Sequence, residues 1–393
     1  MNTTLRNLRR HMRMFCLEIG ERHLGASGEA DAVDYISSVL STYDCEVVRE
    51  PFSGPGWRYR SYRLAVKGGR SFPCFPCYYS PACKQTGRLL PLSMRSASSV
   101  RADKVRGGMC FVHGEFQGVG DTNALAERLE RLGATALVIV SPYDDTISTK
   151  IVRNPRLRRL GVLTVSKGTA IEIARHLDRD FTLEIAADRF KTVSCNVVGR
   201  RRGSGTRRIV LGAHYDTAPG IQGAWDNAAG TAIVLELARL LRGRLGTLSA
   251  EFVAFGGEEY GGTIGCGLGS YNYIRAHKAA LPSVAWMGCF DGIGALLGEP
   301  YVSIARSSRI KSVAKRLCAS CGVAVKGFHR GSDNGIFHDH GVPTVWFSES
   351  VPDTGVGHIP LHSPKDSLRT IDWPGLTATC ELAARLASRL VPR

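Results

Sequence analysis

Histidine and carboxylate side chains recur at short intervals in the second half of this sequence, each time just after an apolar run. His214 and Asp216 follow Arg208–Ala213, and Asp226-Asn227 comes soon after them. Glu258-Glu259 follow Glu251–Phe255, and Asp291 follows Val284–Phe290. His362 and Asp366 lie in Leu361-His362-Ser363-Pro364-Lys365-Asp366, beyond Pro343–Phe347. Imidazole and carboxylate together suit a borderline cation such as zinc. Two imidazoles and three carboxylates suffice for two ions that share one bridging carboxylate, which places such ions roughly 3.5–4 Å apart. In the Glu258-Glu259 pair one glutamate then binds metal and its neighbour serves as general base, because zinc brings a coordinated water to a pKa of about 7. Taken singly, each residue has an ordinary reading: a structural histidine, a helix N-cap at Asp226, a solvated glutamate pair, a turn aspartate at Asp291. Their joint occurrence at equivalent strand ends carries the argument.

Those runs must be strands for the side chains to converge. From about residue 192 onward, apolar strands at Arg208–Ala213, Glu251–Phe255, Val284–Phe290 and Pro343–Phe347 alternate with helices near Asn227–Leu241, Ser270–Ala280, Ile310–Cys321 and Gly375–Leu390. The alternation predicts an α/β fold, a three-layer sandwich around a mostly parallel sheet, with ligands bound at the carboxyl ends of the strands. Upstream, Ala30–Tyr43 reads as a helix and Cys45–Phe52 as a strand. Residues 70–190 differ in character. They show strands at Gly108–His113, Ala136–Val140 and Gly161–Val165, helices at Asn123–Leu132 and Thr169–Leu177, and no chemical motif. They read as a small β-rich domain inserted into a discontinuous catalytic domain of residues 1–69 and 191–393.

Composition sets bounds on the rest. The 393 residues include 51 Lys and Arg against 35 Asp and Glu, a formal charge of +16. The basic residues are scattered, with knots at Arg153–Arg159 and Arg200–Arg208, and read as a solvated surface rather than a nucleic-acid stripe. No run of about 18 apolar residues is present, so no transmembrane segment is expected. Arg6, Arg9, Arg10, Arg13 and Glu18 break every candidate leader stretch. The expected compartment is the cytoplasm as the sequence stands, or the secreted or periplasmic space if a leader has been removed. Of the 12 cysteines, Cys74, Cys77 and Cys83 suggest a local disulfide or metal knot, while Cys318, Cys321, Cys266 and Cys289 read as packed thiols.

The stretch Gly212-Ala213-His214-Tyr215-Asp216-Thr217, followed by Asp226-Asn227-Ala228-Ala229-Gly230, resembles the dinuclear-zinc aminopeptidase family. Glu258-Glu259-Tyr260-Gly261, Ser332-Asp333 with Phe337 and Gly341-Val342-Pro343, and His362-Ser363-Pro364-Lys365-Asp366 resemble its later blocks in order. Residues 24–52 resemble its N-terminal segment, and the insert resembles the protease-associated domain of several members. The resemblance implies a zinc metallopeptidase with two zinc ions per chain. His214 and Asp291 would hold one ion, Glu259 and His362 the other, and Asp226 would bridge them. Glu258 would be the general base, and Asp216 would orient His214. Asp366 would support His362 in a similar way. The expected substrate is a peptide attacked at its N-terminal residue. A carboxypeptidase or dipeptidase using the same metals, a glutaminyl cyclase and a non-catalytic receptor remain as alternatives. Two positions depart from the family pattern. Leu361 stands where a tyrosine often assists the oxyanion, with His329, Arg330 or Tyr260 as candidate replacements, and Asn334 stands where histidine often follows Ser-Asp.

Overall fold

The computed structural model describes residues 2–114, 119–260, 267–352 and 358–391. Gly261 and Cys266 lie outside these residues. The main sheet has ten strands. Its centre is a parallel block formed by Thr344–Ser350, Val284–Phe290, Arg208–His214 and Ser249–Phe255. Alternate residues of these strands feed two cores: Ile209, Leu211 and Phe252 face one layer, and Val210, Val253 and Phe255 face the other. Burial on both faces is what near-continuous apolar strands require. Helices Thr3–Arg13, Ser27–Thr42, Ala229–Leu240, Ser308–Ala319 and Trp373–Arg389 cover the first face. Leu268–Ala276 and Asn334–Asp339 cover the second, which completes the three layers.

The parallel character ends at the flanks. Glu299–Ala305 runs antiparallel to Thr344–Ser350. On the other side, Phe181–Arg201 runs antiparallel to Ser249–Phe255 and then to Glu46–Val66. These last two strands have 21 residues each and pair over almost their whole length, with a single register irregularity at Tyr59/Ser61. The sequence reading ended the first of them at Phe52 and did not place the second. Alternation fades along both because Gly54, Pro55 and Gly56 interrupt one and polar residues such as Arg189, Lys191 and Thr192 fill the other.

A second sheet occupies residues 75–165, in the order Phe75–Pro76, Gly161–Val165, Ala136–Val140, Met109–His113 and Leu89–Ser93. Its last four strands are mutually parallel. Helices Val119–Arg131 and Lys167–Ala174 accompany it. Cys74, Cys77 and Cys83 are free thiols, which removes the expected local disulfide, and Cys321 is exposed while Cys289 and Cys318 are buried. No helix among the described residues is long and apolar enough to cross a membrane.

Candidate metal centre

The carboxyl ends of the parallel strands deliver the predicted side chains to one place. His214 ends its strand, and its Nδ1 lies 3.1 Å from the backbone carbonyl of Asp216. A carbonyl can only accept, so Nδ1 carries a proton; burial opposes the imidazolium, but the facing Asp291, Asp216 and Asp226 carboxylates hold the pKa of His214 well above the usual imidazole value. That Nε2 is 3.1 Å from Asp226 Oδ1 and 3.6 Å from Asp291 Oδ1. On the other side, His362 Nε2 is 3.3 Å from Asp226 Oδ2 and 3.5 Å from Glu259 Oε1. Two donor groups result, His214–Asp226–Asp291 and Asp226–Glu259–His362, each with its ligand atoms within 4.8 Å of one another. Asp226 belongs to both groups. The donor set fits zinc: imidazole nitrogens and carboxylate oxygens in two groups of three, with buried negative charge that calls for a cation.

Local chemistry fixes each candidate ligand. Asp226 is joined to Asn227 by a cis peptide bond. Asn227 Nδ2 donates to the Phe290 carbonyl at 2.8 Å, and the Gly230 amide donates to Asn227 Oδ1 at 3.0 Å. A Cβ on Gly230 would lie 2.1 Å from the Phe290 carbonyl oxygen, so only glycine permits this approach. Asp291 is held through its backbone: its amide donates to Phe347 O at 3.2 Å, and Trp346 Nε1 donates to its carbonyl at 3.2 Å. His362 sits in the left-handed region at φ 55°, and its carbonyl accepts the Thr149 amide at 2.9 Å.

Asp216 does more than steady an imidazole. Its Oδ1 accepts the Glu258 amide at 3.0 Å and its Oδ2 the Glu259 amide at 2.9 Å, while Nδ1 of His214 is 3.5 Å from Oδ1. Asp366 departs from expectation. It does not support His362; its carboxylate accepts the Trp225 amide at 2.7 Å and the Asp226 amide at 3.1 Å. It therefore anchors the loop that carries Asp226. Burial pushes its carboxyl up to about 7, against the pull of those amides.

Electrostatics follow from enclosure. Burial raises the pKa of Glu258, with His214 and Lys150 pulling it back down. Burial also opposes the charge on Asp226, yet hydrogen bonding to His214 and His362 holds it well below the usual carboxylate range. Burial and the Lys150 charge bring His362 down to about 4. Behind Glu258, burial and the Glu258 charge push Asp333 up to about 8.

A cavity of about 350 Å³ opens on the cluster. Its walls include Asp226, Glu258, Asp291 and His362 together with Trp225, Tyr301, His329, Trp346 and Leu361. The His329 ring stacks on Trp346 with centroids 5.4 Å apart. Asn334 Nδ2 donates to the His329 carbonyl at 2.7 Å, so the residue that departs from the family pattern fixes this wall. Of the three candidate replacements for the missing tyrosine, His329 lines the cavity; Arg330 instead pairs with Asp339 and Tyr260 packs against Tyr79.

Three further residues escaped the sequence reading. Lys150 and Arg153 come from the region of the second sheet and line the cavity. Lys150 forms an ion pair with Glu259 and lies 3.3 Å from His362 Nε2. Arg153 belongs to the basic knot read as solvated surface, yet its Nε and Nη1 are buried and make no hydrogen bond. Arg22, fully buried, donates to the carbonyls of Phe15, Gly20, Tyr215, Gln222 and Gly223 and ties the loop between His214 and Asp226 to the N-terminal helices. Its only sequence signal is proximity to the segment 24–52.

Comparison with known proteins agrees with this architecture. The chain is 26% identical over 257 residues to the aminopeptidase YwaD of Bacillus subtilis, covering 63% of this chain. It is also 26% identical over 283 residues to the probable lipoprotein aminopeptidase LpqL of Mycobacterium tuberculosis, covering 69% of this chain. Each match spans 55% of the length of the relative. The fold is shared with BSAP, a zinc aminopeptidase from Bacillus subtilis, at a TM-score of 0.81 and 22% identity over 98% of this chain and 95% of that one. Residues 196–387, which contain every predicted ligand, match the peptidase family M28. Over that segment, just under half of the chain, the sequence is similar to peptidase family M28.

Proposed function

We propose that this protein is a metal-dependent aminopeptidase that removes N-terminal residues from peptides with two zinc ions. One observation carries the reading: two three-residue donor groups share Asp226 on the wall of a cavity that also presents Glu258. His214, Asp226 and Asp291 would hold one ion, and Asp226, Glu259 and His362 the other. When bound, the ions activate water, polarise the peptide carbonyl and stabilise the oxyanion. Glu258 takes the proton of the attacking water and returns it to the leaving amine. Asp216 holds Glu258 and Glu259 in register through their amides, and Asp366 holds Asp226. The aromatic walls exclude water and receive the terminal side chain. Both curated relatives are named as aminopeptidases, which supports the polarity. Residues 70–190 act in this reading as the inserted, protease-associated-like domain that completes the cavity with Lys150 and Arg153.

Arg153 favours a second reading. A half-buried guanidinium whose Nε and Nη1 have no hydrogen-bond partner among the described residues suits a substrate carboxylate, as a dipeptidase or carboxypeptidase requires. Incubating the zinc-loaded protein and a Glu258→Ala control with a mixed peptide library, with products read by mass spectrometry, separates the two. Stepwise N-terminal loss by the wild type alone supports the aminopeptidase. Loss from the C-terminus, or cleavage of dipeptides only, moves the assignment to the second reading. No cleavage by fully metallated protein removes both.

A further inference from the structure

The two donor groups share a ligand but differ in their surroundings. Among the described residues, no lysine or arginine forms an ion pair with His214, Asp226 or Asp291. The other group has one built against it. Lys150, with its side chain 5% exposed, pairs with the fully buried carboxylate of Glu259, and its Nζ stands 3.3 Å from His362 Nε2. Two of the three donors of that group therefore already face a cation supplied by the chain. An ammonium has three donors and no lone pair, so it neutralises a carboxylate but cannot act as a ligand. A metal ion seated between Glu259 and His362 would meet it at close range, where like charges in a poorly solvated site repel strongly.

The placement of Lys150 is anchored on both sides. The preceding Thr149 donates its amide to the His362 carbonyl at 2.9 Å, and its own carbonyl accepts the Tyr78 amide at 3.3 Å. Thr122 donates to the carbonyl of Ile151, the residue that follows. Tyr143 donates to the Leu361 carbonyl at 3.2 Å, and Lys365 pairs with Asp145. The backbone of 143–151 is thus fastened to the segment 361–365.

We propose that Lys150 is a resident counter-cation of the Glu259–His362 half of the centre, so that the two metal positions fill in order. The first ion takes His214, Asp226 and Asp291. The second enters only as the Lys150 ammonium swings out of contact with Glu259 into the cavity. This inference rests on the dinuclear reading given above.

The test is zinc titration of the metal-free protein by calorimetry, with cobalt titration followed by visible absorption as a second readout. Lys150→Met keeps the length of the side chain without its charge, and Lys150→Gln serves the same purpose if the methionine variant does not fold. The wild type should bind two ions in separate steps. In the neutral variant the second step should tighten by at least about tenfold, as expected when a buried partner no longer has to be displaced, with the first step unchanged. Equal affinities in the wild type, or a second step that is unchanged or weaker in the neutral variant, overturn the role of Lys150 and leave the dinuclear centre standing. Uptake of fewer than two ions by wild type and variant alike removes the dinuclear reading and this inference with it.

Discussion

Replacing Asp216 by asparagine tests whether one buried carboxylate sets the geometry of the centre. Its two oxygens each accept a backbone amide, from Glu258 at 3.0 Å and from Glu259 at 2.9 Å. Asparagine keeps the shape but has one acceptor oxygen. Either orientation of its amide leaves one N–H of the glutamate pair facing an NH₂ group. A hydrogen bond to a charged acceptor contributes about 1.5–3 kcal/mol, and a buried donor left without a partner costs a further 1–3 kcal/mol. Relief from burying a charge offsets part of this, which leaves a net loss of about 2–4 kcal/mol. Against a total stability of about 5–15 kcal/mol, urea unfolding of the metal-free protein resolves a change of that size. Because the displaced amides carry Glu258 and Glu259, zinc affinity should fall about 10- to 100-fold as well. A variant within about 0.5 kcal/mol of wild type and with unchanged zinc affinity would refute the argument that Asp216 holds the pair in place.

Glu258→Gln should lower kcat by about 10²- to 10⁴-fold with zinc content and folding unchanged, as loss of a general base requires; loss of metal together with activity would reassign Glu258 as a ligand. Burial and the neighbouring Arg10 bring His11 down to about 3, so the unfolded chain takes up a proton near pH 6.5 before the native state does. Its contribution to stability is complete above pH 6.5 and is lost as pH falls toward 3, at up to about 1.4 kcal/mol per pH unit. His11→Gln should flatten that limb in urea unfolding measured across this pH range. Arg22→Met leaves a ring of buried carbonyls without a donor and should cost more than about 3 kcal/mol in the same assay.

The candidate ligands are legible because His214, Glu259 and Asp291 stand at or just after the ends of apolar strands, with Asp226 and His362 in the loops that follow, and strand ends in an α/β sheet share one edge. The bridging role of Asp226 is what the family resemblance implies, and its two oxygens lie 3.1 Å and 3.3 Å from His214 Nε2 and His362 Nε2. What escaped was whatever depends on contacts between distant segments. Lys150 lies in a stretch without periodicity, and nothing local marks it as buried. Arg153 looked like part of a solvated basic knot because Arg156, Arg158 and Arg159, which are exposed, surround it. Asp366 follows His362 so closely that support of that histidine was the natural expectation, but the intervening turn directs its carboxylate to the loop of Asp226. The long antiparallel pair was underestimated because glycine and proline normally punctuate strands, and here the pairing runs through them.

That pair, Glu46–Val66 with Phe181–Arg201, acts as a ruler. At roughly 3.3 Å per residue it measures about 70 Å, running from the main sheet to the strands that lead into the second one. The distance between the metal ligands and Lys150 is therefore written in residue counts far from either. Removing two residues from each strand would preserve the inward and outward faces but draw the second sheet back by about 6–7 Å, enough to lift Thr149 from His362 and Lys150 from Glu259. The completeness of the centre is in this sense a length, set by a ribbon that contains none of the candidate ligands.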